Sequence, residues 1–182
     1  GPGLPAFHII GLPAAAAPAA RDRVRAARNH AHFELPARRI TVNLAPAELP
    51  KDSSRFDLPI ALGILAASGQ LAPQALAGHE FAGELSLTGE LRAVRGALAM
   101  ALSARAVGRA FVLPEGNAPQ AALAEGARIL PARTLLEVVA HLAGEAPLEP
   151  YSGEAHCSVG TYADFSEVKG QQQAKRALEV AA

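Results

Sequence analysis

Short apolar runs alternate along the chain with longer segments in which apolar residues recur at helical spacing. Runs rich in β-branched or aromatic residues predict strands at residues 7–10, 39–44, 81–87, 91–94, 110–113 and 128–130. Helical spacing and flanking helix breakers predict helices at residues 13–31, 57–68, 96–107, 117–125 and 134–142. Because strands and helices alternate, the pattern predicts an α/β (α+β) protein with helices packed on a mixed sheet.

The apolar pattern weakens after residue 143. Residues 144–161 hold two prolines, three glycines and three glutamates, a composition typical of a linker. We therefore predict a domain over residues 1–143, a linker over 144–161 and the start of a second domain over 162–182. The first predicted strand begins only six residues into the chain, so the first domain is expected to lack one or two N-terminal strands.

Composition narrows the class of protein. Half of the 182 residues are hydrophobic, which is enough for a sizeable core. The 17 basic and 17 acidic residues exclude a uniformly basic nucleic-acid-binding protein. The single cysteine excludes an intramolecular disulfide and a cysteine-based zinc cluster. Without an apolar run of about 18 residues or a signal peptide, the chain is expected to be cytoplasmic, with no membrane partner.

The net charge of zero conceals a basic segment near the start of the chain. Residues 21–39 hold six arginines against Asp22 and Glu34. Arg21, Arg25 and Arg28 follow at spacings of four and three, so they share one helical face, and Arg38 and Arg39 follow soon after. This face either contacts DNA phosphates or is simply solvated. With no tryptophan and two tyrosines, a platform that stacks single-stranded bases is not expected.

A second charged group surrounds the start of the helix predicted at residues 57–68. Asp57 is expected to cap that helix or to lie in its first turn, and to form a surface ion pair. The alternative is that Lys51 and Arg55 contact nucleic acid or a neighbouring subunit. The six histidines show no metal-binding spacing, so neither His30 with His32 nor His156 with Cys157 is predicted to hold a metal.

Two stretches carry a family resemblance. The first includes Gly3-Leu4-Pro5-Ala6-Phe7, the segments 21–27 and 33–46, and Pro50-Lys51-Asp52-Ser53-Ser54-Arg55 within residues 49–62. The second runs from Asp164-Phe165 through Val168-Lys169-Gly170-Gln171 to Ala182. Together they resemble the ComM/YifB family of magnesium-chelatase-like AAA+ proteins. The N-terminal domain of that family is similar to the Lon proteolytic domain, which implies a fold like that of ribosomal protein S5 domain 2.

The resemblance implies that Val168, Gly170 and Gln171 lie near the base of a bound nucleotide. The phosphate loop G-x-x-x-x-G-K-[ST], whose backbone and side chains hold phosphate and Mg²⁺, does not occur in these residues. The chain itself is therefore not expected to hydrolyse ATP or to hold a cofactor. ATP and Mg²⁺ are expected in the full-length parent.

The likeness to Lon allows a test for peptidase chemistry. Lon-type proteases use a serine and a lysine, and the matching positions here are Arg55 and Leu98. Arginine is not an acyl-accepting nucleophile and leucine cannot take up a proton, so no catalytic residue is expected.

Taken with the family, the chain is expected to be the non-catalytic N-terminal domain of a ring-forming AAA+ ATPase. The ComM branch is a DNA branch-migration motor of natural transformation. The expected partners are the chain's own AAA+ domain, the other subunits of a homohexamer, and branched or single-stranded DNA. Two alternatives stay open: an ATPase subunit of a magnesium-inserting complex, although such subunits usually lack a Lon-like N-terminal domain, and a protein-interaction scaffold.

Overall fold

The structure, a computed structural model, describes residues 7–10, 15–34, 40–43 and 54–153. Apart from Ser152 and Gly153, these residues belong to the first of two units, Gly1–Tyr151 and Ser152–Ala182. In chain order the helices and strands are β1 (Phe7–Ile10), α1 (Ala17–His30), β2 (Ile40–Asn43), α2 (Asp57–Ala67), β3 (His79–Phe81), β4 (Glu84–Leu85), β5 (Leu91–Arg92), α3 (Ala97–Ala106), β6 (Ala110–Pro114), α4 (Ala118–Ala121), β7 (Ile129–Ala132) and α5 (Leu135–Leu142). The division into a domain, a linker and a second domain stays a prediction.

The first strands form a β–α–β arrangement. Strands β1 and β2 are parallel, with Phe7 opposite Ile40. Parallel strands cannot be joined by a tight turn, and here α1 lies between them in the sequence and packs on β1. Pro18 stands in the first turn of α1, where its missing N–H costs no hydrogen bond.

The main sheet contains three parallel strands in the order β3-β6-β7. Side chains along β6 alternate between two clusters of buried residues, as the period of two in a strand requires. Ala110 and Val112 join the cluster built with α2 and α5, whereas Phe111 and Leu113 join the cluster built with α3 and α4. The sheet therefore lies between two layers of helices, and all five residues of β6 are buried.

Strands β4 and β5 form a small antiparallel hairpin. Its turn closes through two backbone bonds, from the Ser86 N–H to the Glu90 carbonyl (2.9 Å) and from the Gly89 N–H to the Ser86 carbonyl (3.1 Å). Gly89 has a φ of +84°, a conformation that other residues rarely adopt. The hairpin is held to the body where the Leu91 N–H donates to the Arg133 carbonyl (2.8 Å).

The mixed α/β class predicted from the sequence is confirmed, and five α-helices lie within the described ranges. One part of the prediction is wrong, since these ranges contain separate parallel and antiparallel sheets and not one mixed sheet. The strand expected at residues 81–87 is divided into β3 and β4 at Ala82 and Gly83. Here the Gly83 N–H leaves the sheet to donate to the Arg55 carbonyl (2.9 Å).

The helix expected at residues 117–125 is shorter than predicted. A 3₁₀ turn at Glu115–Asn117 leads into α4, which ends at Ala121. Asn117 stands at the N-cap position, but its amide does not cap the helix. It accepts from the Val94 N–H and donates to the Val94 carbonyl, both at 2.8 Å. The Asn117 side chain thus satisfies the backbone N–H and carbonyl of Val94, in a distant loop, and not an N–H group of its own helix.

Candidate functional site

Helix α1 presents two of the arginines that the sequence predicted on a basic face. Its buried residues include Ala20, Val24 and Ala27, and through this side it packs on α2. Arg21 and Arg25 are exposed, one helical turn apart. Within the described part of the chain neither takes part in an ion pair. Arg21 and Arg25 therefore present two positive charges side by side to solvent.

Arg28, the third predicted member of this face, is only 2% exposed, so its assignment to an exposed basic face is wrong. The chain reverses over the end of α1 at residues 31–34, where the Phe33 N–H donates to the Arg28 carbonyl (3.0 Å). The reversal brings the Glu34 carbonyl within 2.6 Å of Arg28 Nη2. Burial lowers the pKa of the Arg28 guanidinium, and the nearby charge of Arg25 lowers it further.

A buried ion pair fixes α1 on the body, and the sequence did not reveal it. Arg23 Nε lies 2.6 Å from Asp57 Oδ2, and Arg23 Nη2 lies 3.0 Å from Asp57 Oδ1. The Leu85 N–H donates to the same Oδ2 at 3.1 Å. Asp57 is in the first turn of α2, as predicted, but its side chain is fully buried and not part of a surface ion pair. Its partner comes 34 positions earlier in the chain, beyond any local spacing rule.

The surroundings of this pair shift the pKa values of both partners. Burial raises the pKa of Asp57, while the bonds from Arg23 and the Leu85 N–H oppose that rise. The bond to Asp57 raises the pKa of Arg23. Three elements, α1, α2 and β4, meet at one carboxylate. Because Arg23 points inward, Arg21 and Arg25, two residues to either side of it, are held outward.

Arg55 lies in a 3₁₀ turn, Ser54–Phe56, directly before α2. Its guanidinium carbon stands 5.0 Å from the centre of the Phe56 ring, a cation–π contact. Its Nε is buried and has no hydrogen-bond partner among the described residues. The turn borders a cleft of about 450 Å³ whose other walls are β3 and α3.

The second position aligned with the Lon dyad, Leu98, is in α3, where it is half-buried against the cluster of α3 and α4. Arg55 reaches the start of the same helix, since its Nη1 lies 3.9 Å from where a Cβ on Gly96 would stand. The turn before α2 and the start of α3 are therefore neighbours. The side chains at the two aligned positions supply neither a nucleophile nor a general base.

Other predicted site residues fall outside the described ranges, and the predictions made for them stay predictions. They are Arg38, Arg39, Lys51, Val168, Gly170 and Gln171.

The described part of the chain also bears on metal binding and membrane insertion. Within it, no three His, Cys, Asp or Glu side chains are grouped closely enough to hold a metal ion. His30 and His32 are both exposed at the end of α1. No described helix combines the length and the apolar character needed to cross a bilayer.

Comparison with known proteins identifies the relatives of this chain. The family model for subunit ChlI of Mg-chelatase matches residues 1–117. The competence protein ComM of Haemophilus influenzae is 46% identical over 186 residues, and the uncharacterized protein YifB of Escherichia coli is 44% identical over 180 residues. An uncharacterized protein of Mycobacterium tuberculosis is 40% identical over 181 residues.

These alignments cover 99% of the chain but 36% of each relative, so the chain spans about a third of the length of the curated relatives that it matches. The family model covers well over half of the chain. The chain thus belongs to the ComM/YifB family, whose members share a region similar to subunit ChlI of Mg-chelatase.

Proposed function

We propose that this chain is a DNA-guiding module of a ring-forming AAA+ ATPase and has no catalysis of its own. The observation that carries the proposal is the pair of exposed arginines on α1, Arg21 and Arg25, which form no ion pair with any described residue. The name of the relative ComM, a competence protein, agrees with a role in handling DNA.

The chemistry of the pair suits a phosphate backbone. Guanidinium groups donate to phosphate oxygens in a planar, forked geometry. The four-residue spacing sets the two groups about 6 Å apart along the helix axis. Such contacts position DNA without reading its sequence, which is what a guide for a moving strand requires. Arg38 and Arg39 would extend the same basic segment.

The proposed fold is that of the Lon proteolytic domain and ribosomal protein S5 domain 2. The closeness of the turn carrying Arg55 to the start of α3, the helix carrying Leu98, supports this proposal. In a Lon-type enzyme the corresponding serine and lysine must meet. With arginine and leucine at the two positions, we propose that the architecture is retained without peptidase chemistry.

The remaining parts of the proposal concern the parent protein. We propose that the rest of the parent binds ATP and Mg²⁺, with Val168, Gly170 and Gln171 near the nucleotide base. We further propose that it assembles as a homohexamer and acts in the cytoplasm on branched or single-stranded DNA. The chain would then contribute to subunit assembly as well as to DNA guidance, and Lys51 and Arg55 would be contacts to DNA or to a neighbouring subunit.

A second candidate function is that of an ATPase subunit in a magnesium-inserting complex. The observation that favours it is the family model, whose description names a subunit of Mg-chelatase. This candidate requires no DNA affinity, and neither does a protein-interaction scaffold. DNA binding therefore separates the first proposal from both alternatives.

The test is the binding of a fluorescent forked DNA by the chain at low salt. Arg21→Ala/Arg25→Ala is compared with Arg105→Ala/Arg128→Ala, which removes the same charge from exposed arginines outside α1. We expect the α1 variant to lose about tenfold in affinity or more, whereas the control stays close to the unmodified chain. No binding by the unmodified chain, or equal losses in the two variants, would remove α1 as the DNA contact.

A further inference from the structure

Two histidines from distant parts of the sequence meet at the edge of the main sheet. His79 begins β3 and His141 lies in the last turn of α5. Their Nε2 atoms are 3.2 Å apart, and their rings meet edge to face. His79 Nδ1 is 3.1 Å from the Ala77 carbonyl, and the Leu148 N–H donates to His141 Nδ1 at 2.9 Å.

These partners allow one arrangement of protons. A backbone N–H can only donate, so His141 Nδ1 accepts from Leu148 and carries no proton. The neutral His141 ring must then be protonated at Nε2, which donates to His79 Nε2. His79 is in turn protonated at Nδ1, which donates to the Ala77 carbonyl. Every polar atom of the pair is satisfied only while both rings are neutral.

A proton added to either ring breaks this series of hydrogen bonds. On His141 it occupies Nδ1 and faces the donating N–H of Leu148. On His79 it occupies Nε2 and faces the donating Nε2 of His141. In both cases two donors point at each other, so one hydrogen bond is lost. A proton on His141 removes the bond from Leu148, whereas a proton on His79 removes the bond between the two rings.

The bond at Leu148 holds a segment that the sequence predicted as part of a linker. We call residues 146–151 the strap. The Leu148 side chain packs against the buried cluster built with α2 and α5. The Tyr151 N–H donates to the Ile129 carbonyl (2.8 Å). The strap leads directly into residues 152–182, which contain the segment that resembles the start of the family's ATPase module.

We propose that His79 and His141 form a pH-sensitive latch that fixes the strap to α5 when both rings are neutral and loosens it when His141 takes up a proton. The latch regulates how firmly the strap is held against α5. It rests on the two rings and the strap alone and does not depend on DNA binding.

The charged surroundings agree with a neutral resting state. Burial lowers the pKa of His141, and a positive charge on a protonated His79 and the charge of Arg128, which directly precedes β7, lower it further. Glu80, the acidic neighbour of His79 on β3, is engaged by Arg109 at 2.7 Å. On the strap itself the acidic residue is Glu149, which is exposed. Among the described residues, no charged group raises the pKa of His141.

The first test reads the protons directly from imidazole ¹⁵N chemical shifts of the chain at pH 7.5. We expect the proton of His141 on Nε2 and that of His79 on Nδ1. A proton on His141 Nδ1 at this pH would overturn the proposal, because the Leu148 N–H would then have no acceptor. This measurement needs no variant and does not depend on any variant folding.

The second test follows amide hydrogen exchange at pH 7.5 and pH 5.5, corrected for the intrinsic rate. Loss of one ordinary hydrogen bond should lower the protection of Leu148 by about fivefold to tenfold at the lower pH. Tyr151 should lose protection with it, while Phe111, which donates to the Arg128 carbonyl inside the sheet, should not change. Equal protection of Leu148 at the two pH values would overturn the proposal.

A substitution of His141 tests whether this residue is the group whose protonation loosens the strap. In His141→Asn, an amide oxygen takes the place of Nδ1 and does not titrate, so the protection of Leu148 should become independent of pH. The control is His30→Asn, which changes an exposed histidine at the end of α1 and should behave like the unmodified chain. If His141→Asn kept the pH dependence of the unmodified chain, the latch would be refuted.

Discussion

Replacing Arg23 by alanine tests the buried ion pair that positions α1. The Asp57 carboxylate, which is fully buried in the unmodified chain, then loses both bonds from Arg23 and keeps the 3.1 Å bond from the Leu85 N–H. The folded variant can then keep a buried charge or take up a proton. At pH 7, protonating a carboxyl with an ordinary pKa of about 3.9 costs about 4 kcal/mol, which sets an upper limit on the loss. Removing one partner of a buried pair typically costs about 3–5 kcal/mol.

We therefore expect Arg23→Ala to lower the free energy of unfolding by about 3–4 kcal/mol at pH 7. The loss should shrink as the pH falls. Without Arg23, burial keeps the pKa of Asp57 above its value in the unfolded chain, so the folded state binds the extra proton. Stability of the variant relative to the unmodified chain then recovers as the pH falls from 7 toward 5, by at most about 1.4 kcal/mol for each pH unit.

The assay is urea unfolding followed by far-ultraviolet circular dichroism at pH 7, 6 and 5, with the difference from the unmodified chain taken at each pH. Arg25→Ala is the matched control, because it makes the same change two residues away on the exposed side of α1. It should alter stability by less than about 0.5 kcal/mol. A loss below about 1 kcal/mol for Arg23→Ala, or a loss that is the same at pH 5 and pH 7, would refute this explanation of how α1 is held.

Three further predictions follow from other contacts. Arg28→Met should be neutral or slightly stabilising in urea unfolding and should leave DNA affinity unchanged, because a buried cation without an ion pair costs desolvation; a clear loss of DNA affinity would contradict this. Thr134→Ala should lower the free energy of unfolding by about 1 kcal/mol, because the Thr134 hydroxyl accepts from the Glu137 N–H (3.1 Å) at the start of α5. Thr134→Ser keeps a hydroxyl at this position and should retain most of that stability. Asn117→Ala should cost about 2–3 kcal/mol by leaving the buried Val94 N–H and carbonyl unpaired, so a thermal midpoint equal to that of the unmodified chain would contradict the role of that amide.

Elements specified by local signals were predictable from the sequence. The run Ala110–Leu113 is apolar and bounded by Gly108 and Pro114, and it forms β6 with one residue added at its end. The helix expected at residues 134–142 begins where its Thr134 cap indicated. In both cases the residues that determine the element lie within it or directly beside it. The tertiary contacts agree with this local preference and reinforce it.

Features that depend on distant partners were not predictable. Arg28 is polar and at the correct spacing for an exposed face, but a chain reversal after α1 covers it. Asn117 is a favourable capping residue, yet its amide is engaged by Val94, 23 positions away. The same holds for the candidate site: the spacing indicated Arg21 and Arg25, whereas the buried contact of Arg23 with Asp57 required knowledge of how α1 and α2 meet.

The central claim, that α1 contacts DNA phosphates through Arg21 and Arg25, is tested most directly by the salt dependence of forked-DNA binding between 50 and 200 mM salt. Two phosphate contacts to duplex DNA contribute about 1.8 to the slope of log affinity against log salt. Over this fourfold range, the unmodified chain should therefore lose about tenfold more affinity than Arg21→Ala/Arg25→Ala. The same slope for both proteins would contradict the account.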